Sequence, residues 1–129
     1  MAIADAGHGA LRREDPRLRL GLSILCLPFH DPIRVAEDIA LLDNISRGRI
    51  DCIGVGSQSE EYETFKIPVR ERFGRTWAAI EFIDRFWTEP AQFYFEREYY
   101  RYSNVTFTTQ PVKNQCRFGS VRSARIKWR

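Results

Sequence analysis

The sequence predicts an α/β fold with parallel strands, and two observations support this prediction. The first is a dense apolar run over residues 18–27, bounded by Pro16 and Pro28. Its length and near-continuous apolarity suit a strand buried on both faces. The second is the helical spacing of apolar residues over 32–46, followed by another apolar run over 49–56. Strand, helix and strand in this order form a βαβ unit with a right-handed crossover.

The helix between the two strands has local boundary signals. Asp31 is a favoured N-cap residue and Pro32 suits the first helical position, so the helix is predicted to begin there and to end at Ser46. Gly48 then provides a stop. The apolar stripe of this helix consists of Ile33, Val35, Ala36, Ile39, Ala40, Leu42 and Ile45.

A polar loop and a second helix are predicted next. Residues 57–68 are polar and follow the carboxyl end of a strand, where β/α proteins place their functional sites. The helix is predicted over residues 69–87, and Glu89-Pro90 ends it. Its predicted apolar face consists of Phe73, Trp77, Ile80, Phe82 or Ile83, and Trp87.

An aromatic segment follows the second helix. Residues 93–102 predict two short strands around a turn at Glu96–Glu98, because aromatic residues are favoured in strands. A further short strand is predicted over residues 104–108.

Composition excludes several classes of protein. The 129 residues are 43% hydrophobic and 13% aromatic, which is enough for a buried core and argues against disorder throughout. No apolar run approaches the roughly 18 residues of a membrane span. The N-terminus lacks the basic-then-apolar pattern of a secretory signal. A cytoplasmic protein is therefore expected.

The net charge of +3 is concentrated at one end of the chain. Residues 115–129 contain five basic residues and no acid, so the rest of the chain has 15 basic and 17 acidic residues, a net charge of −2. This body does not have the charge of a nucleic-acid binder, and nucleic-acid binding through the tail is the least favoured hypothesis. The tail shows neither helical periodicity nor strand alternation, and it is expected to be disordered or frameshift-derived. Residues 1–17 are expected to form a poorly ordered leader.

Cysteine and histidine usage argues against a metal site. Cys26, Cys52 and Cys116 are an odd number without short metal-binding spacing, and the first two lie in apolar runs. They are expected to be small buried residues in a reducing compartment. Only His8 and His30 are present, which excludes a histidine-rich metal centre.

Three stretches of the chain carry recognisable motifs. They are residues 25–32, residues 36–49, and Gly54-Val55-Gly56 followed by Glu61-Tyr62-Glu63 and Phe65. In this order they resemble the bacterial luciferase-like, flavin-dependent monooxygenase family. The middle stretch, with Ala-Glu, then Leu-Asp, then Ser-x-Gly-Arg, is the most specific. The resemblance covers residues 18–114.

The resemblance implies a partial TIM-type β/α barrel, from about the third strand to the fourth helix, plus the aromatic hairpin. A complete barrel of this kind typically needs about 250 residues. It also implies reduced FMN or a deazaflavin as cofactor. In the family, later strands supply most of the flavin phosphate site.

The resemblance also implies individual site residues. A non-proline cis peptide often lies against the flavin ring in the family's third strand, and the matching bond is Ser23–Ile24; ordinary trans residues are the alternative. Gly54 and Gly56 match the place where backbone approaches the ring, with a simple turn as the alternative. His30 would lie at the mouth of the site as a neutral imidazole that hydrogen-bonds flavin or its bound oxygen, and helix-entry packing is the alternative.

Two departures from the family pattern concern glycine. The family usually has glycine near Lys66 and in the hairpin turn where Arg97 stands. A non-glycine residue at a position with positive φ would lower the folding stability by about 1 kcal/mol.

The leading functional hypothesis is a luciferase-like flavin-dependent monooxygenase domain. Its intact homologues would oxidise a small organic substrate with reduced flavin and O₂, and the chain by itself is expected to be inactive. The alternative is a non-enzymatic fragment that self-associates, or binds a partner, through open sheet edges.

Overall fold

A computed structural model describes residues 18–54, 59–106, 109–112 and 117–119. The predicted leader and the remaining parts of the tail lie outside these described residues. Strand β1 (Leu20–Leu25) is followed by a 3₁₀ turn (Leu27–Phe29), helix α1 (Pro32–Ser46) and strand β2 (Ile50–Gly54). The two strands pair in parallel, which confirms the predicted βαβ order.

Helix α1 has the predicted bounds, and its ends explain why. The Asp31 carboxylate accepts a hydrogen bond from the Ile33 amide at 2.9 Å, so it caps the first turn as expected. The helix ends in a Schellman motif, in which Gly48 N–H donates to the Asp43 carbonyl and Arg47 N–H to that of Asn44. The left-handed residue in this motif is Arg47, with φ 59°, and Gly48 follows with φ 80°.

Strand β1 is buried on one face only, so the prediction of burial on both faces is wrong. Leu20 and Leu25 belong to the core, whereas Gly21 and Ile24 are exposed. The reason is that helices cover one face of the sheet. In the described order β1-β2-β5, β1 is also an edge strand. Pro28 lies in the 3₁₀ turn, so β1 also ends earlier than the apolar run.

The segment predicted as a loop contains helix α2 (Ser59–Thr64). Acidic side chains of Glu60 and Glu61 lie in its first turn, where the helix dipole favours negative charge. Tyr62 is its buried residue. A helix of this length is too short to show periodicity in the sequence.

Helix α3 (Arg72–Thr88) follows a 3₁₀ turn at Val69–Glu71, close to the predicted bounds. Its predicted apolar face is partly wrong, because Phe73 and Trp77 are exposed. The residues of α3 that are buried are Thr76, Ala78, Ala79, Phe82, Ile83, Phe86 and Trp87. Gly74 leaves room for the Tyr99 ring, since a Cβ there would approach it to 2.7 Å.

Strands β3 (Phe93–Glu96) and β4 (Arg101–Val105) form the predicted antiparallel hairpin. Phe95 is fully buried and meets the Phe82 ring edge-on at 5.2 Å, which packs the hairpin on α3. Part of the further strand predicted over 104–108 belongs to β4, and residues 107–108 lie outside the described part of the chain.

The described part of the tail forms a strand. Strand β5 (Arg117–Gly119) pairs in parallel with β2, opposite Asp51 to Ile53. The sequence predicted no element there, because three residues are too few for strand alternation to be visible. None of the helices in the described ranges is long and apolar enough to cross a membrane.

Candidate functional site

A bulge interrupts the pairing of β1 and β2 at their carboxyl ends. Ser23 is opposite Ile53 and Leu25 is opposite Gly54, so Ile24 is an extra residue on β1. The bulge lets Leu25 enter the core and leaves Ile24 53% exposed. Bulges are frequent beside functional sites, where they redirect a side chain.

The bulge brings together three of the predicted cofactor-binding residues. Ser23 and Ile24 lie on the bulged strand, and Gly54 is the last residue of the strand beside it. Gly56, the fourth, lies outside the described residues. Gly21 and Ile24 lie on the face of β1 opposite the helices, and both are exposed.

An aromatic cluster joins the two connections that leave these strand ends. Phe29 comes directly after β1, and it stacks on the Phe65 ring at 4.5 Å with an interplanar angle of 9°. Tyr62 meets the Phe29 ring edge-on at 4.6 Å and is fully buried. Phe65 keeps 55% of its surface exposed. The sequence showed these aromatics only as part of a family motif, and their contact depends on the fold.

His30 lies at the surface directly after the 3₁₀ turn. Its backbone N–H donates to the Leu27 carbonyl at 3.1 Å. Partial burial lowers the pKa of the imidazole, and the carboxylate of Asp38 opposes that shift. The lowered pKa favours the neutral imidazole at pH 7, the form in which a histidine can both donate and accept a hydrogen bond.

Asp31 links the hairpin to this end of the sheet. Besides capping α1, its carboxylate accepts a hydrogen bond from the Tyr102 hydroxyl at 3.2 Å. Burial, reinforced by the charge of Asp31, strongly raises the pKa of Tyr102 and keeps it a donor. Tyr100 stacks on Tyr102, and burial raises the pKa of its hydroxyl against the opposing effect of Arg75. Nothing in the sequence pattern indicated this pair of tyrosines.

The residues at these strand ends fit the flat face of a ring. The part of the chain that the structure describes has no group of three or more side chains able to hold a metal. An exposed isoleucine beside a glycine suits the flat face of a flavin, because the glycine has no side chain to obstruct the ring.

Comparison with known proteins establishes the family. The sequence profile described as luciferase-like monooxygenase matches residues 8–126. The chain therefore belongs to the luciferase-like monooxygenase family, which confirms the resemblance seen in the motifs.

Individual relatives agree with this assignment. The chain is 30% identical over 113 residues to the F420-dependent glucose-6-phosphate dehydrogenase of Segniliparus rotundus, covering 80% of this chain and 32% of the relative. It is 30% identical over 108 residues to the oxygenase component of a flavin-dependent trigonelline monooxygenase of Acinetobacter baylyi, covering 80% and 29%.

A solved structure of a monooxygenase shares the fold of this chain. The monooxygenase RslO1 of Streptomyces bottropensis superposes with a TM-score of 0.77 at 26% identity, covering 86% of this chain and 34% of RslO1. The chain spans only 11% to 37% of the curated relatives that it matches.

Proposed function

We propose that this chain carries the ring-facing part of a flavin site in a luciferase-like flavin-dependent monooxygenase. The bulge that exposes Ile24 beside Gly54 is the observation that carries the proposal. It lies at the carboxyl ends of parallel strands, where β/α barrels bind their ligands. The strands correspond in this proposal to the third and fourth of a TIM-type barrel, and reduced FMN or a deazaflavin is the cofactor.

The residues at the strand ends have distinct roles in this proposal. Ser23, Ile24, Gly54 and Gly56 contact one face of the flavin ring and orient it. The bound flavin supplies the redox chemistry, in which a small organic substrate is oxidised with O₂. His30 lies at the mouth, and its neutral imidazole hydrogen-bonds the ring or the substrate. The apolar side chain of Ile24 helps to exclude water.

The full reaction requires more of the barrel than this chain provides. The chain covers about a third of its relatives, and in this proposal the flavin phosphate is held by elements outside that third. We therefore expect the chain to bind flavin weakly and to be inactive by itself.

A non-enzymatic role is the second candidate, and one observation favours it. Strand β1 is at the edge of the described sheet, and its exposed Ile24 is apolar. An edge strand with an apolar residue favours pairing with another chain. In this alternative the chain self-associates or binds a partner and performs no reaction.

Titration with flavin tests the proposed site. We expect the chain to quench FMN or F420 fluorescence with a Kd on the order of 100 µM, typical of a weak ligand. Ile24→Glu places a charge against the ring and should weaken binding about tenfold, because a carboxylate loses its water there.

The control is the same substitution on a side chain of similar exposure. Ile45 is 45% exposed in the last turn of α1, at the opposite end of the sheet. Ile45→Glu should leave the Kd within about twofold of the unchanged chain. Absence of quenching at high micromolar flavin, or equal weakening by both variants, contradicts the proposal.

A further inference from the structure

We propose that Phe65 selects the substrate, by binding an uncharged apolar ring against its open face. This inference rests on the proposed function, since it assigns a substrate class to the same site. It concerns the aromatic cluster of Phe29, Tyr62 and Phe65. None of these three is among the residues proposed to face the flavin.

The position of the cluster is the first argument. Phe29 belongs to the connection after β1, and Tyr62 and Phe65 to the connection after β2. Adjacent parallel strands end at the same edge of a sheet, so both connections lie above the ends that carry Ile24 and Gly54. In this proposal, a substrate that approaches a flavin there meets the cluster.

The rigidity of Phe65 is the second argument. One face of its ring is covered by Phe29, which Tyr62 supports from a fully buried position. The backbone is held as well, because α2 ends in a Schellman motif in which Ile67 N–H donates to the Tyr62 carbonyl and Lys66 N–H to that of Glu63. A ring fixed in this way presents a preformed surface, which lowers the entropic cost of binding.

The exposure of Phe65 is the third argument. Burying a phenyl ring is favourable, yet this one remains 55% exposed beside aromatic neighbours that are largely covered. Aromatic rings pair preferentially with other apolar rings in stacked or edge-on geometry. The open face therefore fits a cyclic, uncharged substrate.

Binding of benzyl alcohol to the full chain in the presence of FMN tests this inference. Saturation-transfer NMR measures the contact and its Kd. Phe65→Ala should weaken benzyl alcohol binding about 3- to 10-fold, the range expected for loss of one aromatic pair. Phe65→Leu keeps apolar bulk and should weaken binding less. Ile45→Ala removes a similarly exposed apolar side chain at the opposite end of the sheet and should have no effect.

The outcomes separate this inference from the flavin proposal. Circular dichroism establishes that the variants are folded, and FMN affinity should be the same with and without Phe65→Ala. If the unchanged chain does not bind benzyl alcohol, or if a folded Phe65→Ala variant binds it as tightly, the inference is wrong. If benzyl alcohol binding depends on Phe65 but FMN does not bind, the flavin proposal fails and the ring-binding role of Phe65 stands.

Discussion

In the described part of the chain, two non-glycine residues at helix ends have a left-handed backbone. Arg47 has φ 59° after α1, and Lys66 has φ 55° after α2. The family pattern predicted that replacing glycine near Lys66 would cost folding free energy, and the positive φ of Lys66 agrees with that expectation. The same expectation for Arg97 is wrong, because Arg97 is not among the described residues with positive φ. It pairs instead with Glu81, and its guanidinium lies over the Phe95 ring.

Replacing Lys66 with glycine should therefore stabilise the protein. Glycine adopts the left-handed conformation without the steric cost that lysine has, so Lys66→Gly is expected to raise the free energy of unfolding by about 1 kcal/mol. Urea denaturation followed by circular dichroism measures the change. Arg97→Gly is the matched control, and it should give no gain, since it removes the contacts with Glu81 and Phe95. Equal stabilisation by both variants would show that backbone strain at Lys66 is not the cause.

At the scale of elements, the hairpin is tied to the start of α1 by a single carboxylate. Asp31 accepts from the Ile33 amide with one oxygen and from the Tyr102 hydroxyl with the other. Helix α1 and the hairpin therefore share one anchoring side chain beside the proposed site.

Removing that carboxylate should affect both elements. Asp31→Ala is expected to lower the free energy of unfolding by about 1–3 kcal/mol, because it removes a helix cap and a hydrogen bond. Tyr102→Phe removes only the hydrogen bond and should cost about 1 kcal/mol. Thermal unfolding of the two variants gives the comparison. A Tyr102→Phe variant that loses as much stability as Asp31→Ala would contradict the shared role.

Local signals account for the elements that the sequence predicted well. Asp31, Pro32 and a periodic apolar stripe define α1 within its own residues, and its bounds were predicted correctly. The aromatic hairpin was likewise visible in a short window. Phe73 was misplaced because the buried face of α3 depends on where the hairpin packs.

The site was predictable only in part, for the same physical reason. The family motif pointed to Ser23, Ile24 and Gly54, and the register of β1 and β2 brings them together. The bulge itself depends on how two strands pair, and the Phe29–Phe65 stack on how two connections meet. Neither has a signature within a single segment of sequence.

On the scale of the whole molecule, the exposed face and edge of the sheet favour self-association of the isolated chain. We expect it to elute from gel filtration as a dimer or larger species, since β1 is at the edge of the described sheet and has the exposed Ile24. Ile24→Lys should shift the population towards monomer, because a charged side chain on an edge strand opposes pairing. Leu41→Lys, on a helix residue that is 49% exposed, is the control. A monomeric unchanged chain would contradict the expected self-association.

The pairing of β5 with β2 sets an order for folding. Strands β1 and β2 are joined by a short connection that contains α1, whereas more than half of the chain separates Asp51 from its partner Arg117. Asn44 reduces the length of free chain before β5, since its side-chain amide donates to the Gln110 carbonyl at 2.6 Å. This hydrogen bond holds the segment before β5 against α1. The entropy of closing so long a loop is offset by only a three-residue strand. We therefore expect the βαβ unit to form before β5 pairs with β2, and the backbone amides of β5 to exchange with solvent faster than those of β1 and β2.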